Sequence, residues 1–223
     1  MIVNVNGDIV SNDEKWFYDW FGYEAFCPKD LRKAIDSLPE GEKLEIKINS
    51  GGGSVFAGKE IYSLLRKRND VDIEIESIAA SAASLIAMAG HCSISPAGTV
   101  MIHRVSATSA AGNTEDMAHL SEVLQDQDES LAAAYAEKTG KPKDEILALM
   151  AKETWLNAEK ALEYGFVDEI TARPEAAMVA SCQGSRITDE MRQQAIAARE
   201  KQDADKQKKR AEEITNDLFL FGI

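Results

Sequence analysis

The chain has 223 residues, 44% of them hydrophobic and 28% charged, which suits one α/β domain with a core of useful size plus an appendage. No apolar run approaches the roughly 18 to 20 residues of a membrane span, and a formal net charge of −13 disfavours nucleic acid, whose phosphates need a basic surface. Cys27, Cys92 and Cys182 are scattered and lack metal-ligand spacing, which fits a reducing compartment and argues against a disulfide framework or a zinc site.

The amino terminus, Met1-Ile2-Val3-Asn4-Val5-Asn6-Gly7, has no basic stretch followed by an apolar segment, so no secretory signal is expected and the cytoplasm is the expected location. Ile2 to Val5 alternates as a strand does, and Asn6-Gly7-Asp8 reads as a turn. Ser11 to Asp19 begins polar and becomes aromatic. Pro28 to Leu38 spaces Leu31, Ala34, Ile35 and Leu38 as a helix before the stop at Pro39-Glu40-Gly41. Leu44 to Ile48 is a strand expected to end in the turn Asn49 to Ser54, after which Val55, Ile61, Leu64 and Leu65 mark a helix.

The pattern then repeats. Val71 to Ile75 predicts a strand, Ser77 to Ser81 a turn of small residues, and Ala82 to Ala89 an apolar helix stopped at Gly90. Strand, tight turn and buried helix in succession describe stacked βαβ units on a largely parallel sheet. Short strands follow at Cys92 to Ile94 and Val100 to Ile102, around the turn Pro96-Ala97-Gly98. A long helix is expected from Thr114 to Lys138, with Met117, Leu120, Leu124, Leu131 and Tyr135 apolar, and shorter helices from Lys143 to Met150 and Ala158 to Tyr164. Residues 186–223 hold eight basic and eight acidic side chains, so the net charge lies in residues 1–185. We expect one α/β domain over 1–173 and a charged tail over 174–223, helical or disordered, with an apolar end at Leu218 to Ile223 that could dock in a groove.

Open α/β sheets bind ligands at the carboxyl ends of their strands, where both turns fall. Gly51, Gly52 and Gly53 let backbone approach a ligand and present N–H groups to it, although three glycines also suit a plain tight turn. Ser81 stands at the start of a buried helix among side chains too small to cover it, where the amide of Ala82 could face a developing anion. Either Ser81 or Ser84 could equally be a helix cap. A reactive serine needs a base, and the histidines are His91, His103 and His119. His103 follows the apolar strand Val100-Met101-Ile102, the setting of a base at a strand end, whereas His91 reads as a turn residue and His119 as part of the long helix.

Taken together these segments resemble a family. Lys47-Ile48-Asn49-Ser50-Gly51-Gly52-Gly53 resembles the strand and Ser-Pro-Gly-Gly element of ClpP, the proteolytic subunit of Clp proteases. Ala79-Ala80-Ser81-Ala82-Ala83 through Gly90 is similar to its nucleophile segment, and Val100-Met101-Ile102-His103 to its base segment. Trp155-Leu156-Asn157-Ala158 and Glu163-Tyr164-Gly165-Phe166-Val167-Asp168 are similar to its carboxy-terminal signature. The resemblance implies a ClpP/crotonase-like α/β fold with the long helix as a protruding handle. It also implies a serine endopeptidase without metal or cofactor, acting on protein or peptide as a homo-oligomeric ring. Ser81 would be the nucleophile, His103 its base, and the amides of Gly52 and Ala82 the oxyanion hole, with Gly51 and Gly53 along the substrate strand.

The third catalytic position falls on Glu153, where the family has aspartate; Asp144 and Asp168 are the alternatives. Further departures are Gly51 in place of proline, Ala82-Ala83 in place of Met-Gly, and a first strand beginning at Ile2 without the family's axial segment. The sequence has no P-loop pattern for ATP, and an ATPase partner is not expected. These departures resemble the ClpP-related enzymes of phages and prophages, whose role is head maturation by cleavage of capsid, scaffold or portal-associated protein. Two other readings stand beside this one. The first is a crotonase-like enzyme acting on acyl-thioesters, and the second a catalytically idle assembly protein on the same fold.

Overall fold

The computed structural model describes residues 1–172; the expectations for the segment 174–223 lie outside the described residues. Chain order is β1 (Ile2–Ile9), α1 (Lys15–Phe21), β2 (Ala25–Phe26), α2 (Pro28–Asp36), β3 (Leu44–Gly53), α3 (Val55–Leu65), β4 (Val71–Ala80) and α4 (Ala82–Ala87). There follow β5 (His91–Ile94), β6 (Thr99–Ile102), α5 (Thr114–Thr139), α6 (Lys143–Ala151), β7 (Thr154–Asn157), α7 (Ala158–Glu163) and β8 (Glu169–Ile170). The strands form one sheet in the order β2-β1-β3-β4-β5-β8, with β6 branching from β4 and carrying β7. Every pairing is parallel except β6 with β7.

Alternation in β3 and β4 explains which face is covered. Leu44, Ile46, Ile48, Val71, Ile73 and Ile75 are buried, whereas Glu45, Lys47, Asp72 and Glu74 between them are partly exposed. On that polar face Lys47 Nζ lies 3.3 Å from Glu74 and 3.7 Å from Glu45, so the sheet is helix-covered on one side only along this stretch. Farther along, β4 changes neighbour. Its first half pairs with β5, from Asp72 opposite His91 to Ile75 opposite Ile94, and its second half with β6, from Ile78 opposite Thr99 to Ala80 opposite Met101. The fork brings the end of β4 beside the end of β6.

Three expected turns are largely strand instead, one of them Ser77 to Ser81, of which all but Ser81 continue β4. Gly7 does not end β1: the strand carries a bulge between Asn6 and Asp8, with Gly7 at φ 69° and Glu24 O only 2.0 Å from where a Cβ would stand. Gly51 to Gly53 likewise continue β3 as an extended edge rather than closing a turn. β2, β7 and β8, two to four residues each, and helix α1 escaped the sequence reading, because periodicity has no purchase on so few residues.

Helix α4 has all six residues buried, which is why it reads as an unbroken apolar run. Helix α5 is set by its caps: Asn113 Oδ1 accepts from the N–H groups of Glu115 and Asp116, and Gly140 closes the other end at φ 71°. Its buried residues are Asp128, Leu131, Ala132 and Tyr135, so the second half packs on the core while the first half stands away from it.

Candidate active site

Ser81 is the hinge between β4 and α4. Its backbone sits at φ 54°, ψ −123°, a conformation suited to glycine, and it is held there from both sides. The Ser81 N–H donates to Met101 O on β6 over 2.9 Å, while Ser81 O accepts from the Ser84 N–H at 3.0 Å and the Ser84 hydroxyl at 2.7 Å. The Ser81 side chain makes no capping bond to its helix. Instead its Oγ lies 2.7 Å from His103 Nε2. With His103 neutral and protonated on Nδ1, Nε2 accepts the seryl proton.

His103 is brought there by the strand fork, one residue beyond β6. His91 and His119 are exposed, on β5 and on the projecting half of α5. The antiparallel ladder of β6 and β7 ends with Ile102 opposite Thr154, and His103 and Glu153 are the next residues on the two segments, the Glu153 N–H donating to Met150 O at 3.1 Å. Glu153 has φ 50°, and it and Ser81 are the two non-glycine residues with positive φ among the described residues. The Glu153 carboxylate accepts from Trp155 Nε1 at 3.2 Å, and among the described residues the His103 ring is hydrogen-bonded to Ser81 alone. The structure therefore brings two members of the expected triad into contact, while the carboxylate of the third, Glu153, is turned to Trp155. Asp168 is engaged elsewhere, by the Cys92 N–H at 2.7 Å and by Lys138. Although burial pushes its carboxyl up, those partners hold it below the usual range. Asp144 is exposed in the first turn of α6.

The glycine strand differs from expectation in which amide faces the serine. The Gly52 N–H donates to Ser50 Oγ at 3.1 Å, and that hydroxyl donates to Gly7 O at 2.6 Å, on the β1 side. Ser54 N–H donates to Ile9 O at 2.7 Å. In a parallel ladder alternate residues turn their polar groups to opposite neighbours, so Gly53, paired with Ile9, directs its own N–H away from β1. Gly53 borders the same cavity as Ser81, Ala82 and His103. The missing Cβ of Gly52 has another use: an added carbon would lie 2.7 Å from both Ala80 O and Ser81 Cβ. Ala82, first residue of α4, has an N–H without an acceptor inside the helix.

Two concavities adjoin across Gly53, Val55, Val105 and Ser106, and Ser81 lines the smaller of them. A small one of about 60 Å³ is lined by Val55, Ala82, Leu85, Leu131 and Tyr135 together with the serine and histidine. A longer groove of about 810 Å³ runs between Gly51–Gly53 on one side and Val105, Ser106, Ala107 and Thr108 on the other. Asp128, buried on α5, accepts from the Val105 N–H at 2.7 Å and so fixes the chain leaving His103. Sequence reading passed over Asp128 and Tyr135 because helical spacing reports which face a residue occupies and not what its polar atom reaches. No group of three or more His, Cys, Asp or Glu among the described residues is placed to hold a metal ion.

A model of the Clp protease family matches residues 33–174, a stretch that contains Ser81, His103 and Glu153. The chain belongs to that family. The parallel sheet and its helices are the α/β fold expected of it. The ATP-dependent Clp protease proteolytic subunit of Bacteroides fragilis is 34% identical over 140 residues, covering 61% of this chain and 67% of the relative. The subunit of the same name from Bacteroides thetaiotaomicron is 32% identical over 140 residues, 61% of this chain and 63% of the relative. That of Streptococcus gordonii is 31% identical over 143 residues, 62% and 73% of the two chains. The chain thus spans 63 to 67% of the length of the two Bacteroides relatives it aligns with.

Proposed function

We propose that this chain is a serine endopeptidase acting on extended polypeptide, with Ser81 as nucleophile and His103 as base. The observation that carries the reading is the 2.7 Å contact between Ser81 Oγ and His103 Nε2, made from a strained turn at a helix start. Ser81 Oγ attacks the scissile carbonyl as its proton passes to Nε2. The oxyanion is met by the N–H groups of Ala82 and Gly53, and His103 then gives the proton to the leaving amine. Water hydrolyses the acyl-enzyme by the same route. Glu153, by a side-chain rotation away from Trp155, accepts from His103 Nδ1–H and stabilises the imidazolium.

The peptide lies along Gly51–Gly53 as an added strand, and the small cavity beside Ser81 takes a compact apolar side chain on the acyl side of the cleaved bond. The working form is a homo-oligomer in which the projecting half of α5 meets a neighbouring copy. The substrate we propose is a phage capsid, scaffold or portal-associated protein. Glu153 and the run Gly51-Gly52-Gly53, the departures noted above, support that assignment.

A fluorophosphonate probe tests the chemistry: wild type is labelled at Ser81, and both Ser81→Ala and His103→Ala lose labelling. Labelling that survives Ser81→Ala would sink the reading. The groove is also bordered by Asp8 and Glu14, carboxylates that a crotonase-type enolate chemistry could use. Under that alternative Ser81 stays unlabelled and an acyl-thioester is turned over. Mass spectrometry of phage structural proteins co-expressed with wild type and with Ser81→Ala tests the substrate, and sedimentation of the purified chain as a monomer would refute the oligomer.

A further inference from the structure

Tyr135 and Ser84 are polar groups that the mechanism above does not use. Tyr135, on the packed half of α5, is 1% exposed, and Ser84, in α4, is wholly buried. Their oxygens are 2.8 Å apart. Ser84 Oγ also bonds the carbonyl oxygen of Ser81 at 2.7 Å. A carbonyl oxygen can only accept, so the single Ser84 hydroxyl proton is committed to Ser81, and the Tyr135 O–H must donate to Ser84 Oγ. The two hydroxyls form a directed chain from α5 to the backbone of the residue whose side chain faces His103. Burial pushes the Tyr135 phenol up to about 12, which keeps the donating proton in place at neutral pH.

This hydrogen-bond chain ends at a strained position. Ser81 holds a glycine-type backbone conformation, which persists only where its surroundings over-determine it. Its N–H is clamped to Met101 O, so its C=O needs an equally firm partner if Oγ is to stay within reach of Nε2. The N–H groups of Ser84 at 3.0 Å and Leu85 at 3.4 Å supply part of that hold, and the oriented Ser84 hydroxyl, the shortest of the three contacts at 2.7 Å, supplies the rest.

We infer that Tyr135 and Ser84 are a positioning pair that holds Ser81 in its reactive backbone conformation through the Tyr135–Ser84–Ser81 carbonyl hydrogen-bond chain. The inference rests on the peptidase reading and extends it to residues that touch no reacting atom. It also ties the helix that walls the substrate groove to the nucleophile turn.

The test uses the full chain and a fluorophosphonate, with the maximal inactivation rate and the half-saturating probe concentration measured separately. Tyr135→Phe removes one oxygen and keeps the ring, and Ser84→Ala removes the middle link. Each should slow maximal inactivation about tenfold, and Ser84→Ala, whose side chain lines neither concavity, should do so at an unchanged half-saturating concentration, since a lost hydrogen bond misplaces Oγ. The double variant should be no slower than either single, because both break one chain. The inference is overturned if either folded variant reacts within about twofold of wild type, if the change lies in half-saturation alone, or if the two effects multiply. Should Tyr135→Phe melt early, Ser84→Ala is read by the same two constants. Failure of wild type to label at Ser81 would refute the peptidase reading instead.

Discussion

At the scale of single residues, the positive φ values of Ser81 and Glu153 carry separate, measurable costs. A side chain at φ 54°, ψ −123° strains the backbone by on the order of 1 kcal/mol or more, and glycine does not share that penalty. Ser81→Gly should therefore be more stable than Ser81→Ala by about 1 kcal/mol in urea unfolding, both being inactive. Equal stabilities would mean the turn is unstrained. In the role proposed for Glu153, Glu153→Gln keeps the shape but removes the charge that would stabilise imidazolium, so kcat should fall by about 10²-fold or more. Glu153→Asp retains charge and should keep much more of the rate. If Glu153→Gln were as active as wild type, another group would have to orient His103.

Between elements, the deciding contact is the approach of β3 to the turn between β4 and α4. Gly52 stands at φ 102° with Ala80 O and Ser81 Cβ each 2.7 Å from the position of an added carbon, while Gly51 has nothing within 4 Å. Gly52→Ala must push the nucleophile turn away, and a displacement near 1 Å costs about 100-fold in rate. Gly51→Ala should be close to neutral. A peptidase assay on the two variants separates these outcomes, and equal activities would show that β3 does not set the position of Ser81. Gly58 of α3 makes a related demand, since a Cβ there would lie 3.0 Å from Ala82 Cβ, so α3 also limits where α4 can begin.

For the folded domain as a whole, buried acids that stay protonated make stability fall at high pH. Burial raises the Tyr135 phenol from 10.0 to about 12 and the Cys92 thiol from 9.0 to about 12. In the unfolded chain both groups lose their protons first, so the folded state binds more protons between pH 9 and 12. The stability they confer is complete below about pH 9 and is lost as the pH rises toward 12. The tyrosine's share is about 3 kcal/mol. Urea midpoints should decline across this window in wild type and decline less steeply in Tyr135→Phe. Parallel profiles for the two proteins would refute the assignment to Tyr135.

Sequence alone determined the alternation of strands and helices and the buried α4, and pointed to His103 over His91 and His119, because each rests on local spacing and composition. The order of four motifs was legible as well, and with it the family. Tertiary structure decided what local pattern cannot express. The fork of β4 toward both β5 and β6 brings Ser81 to His103, and the β6–β7 ladder ends at Ile102 and Thr154, the residues just before His103 and just after Glu153. Ladder alternation turns the Gly53 amide, rather than that of Gly52, away from β1. The hydroxyl of Tyr135, one more apolar position when read along the helix, meets Ser84 across 51 residues of chain. Periodicity reports which face a side chain occupies, whereas the partner of a buried polar atom is fixed by packing between segments distant in sequence.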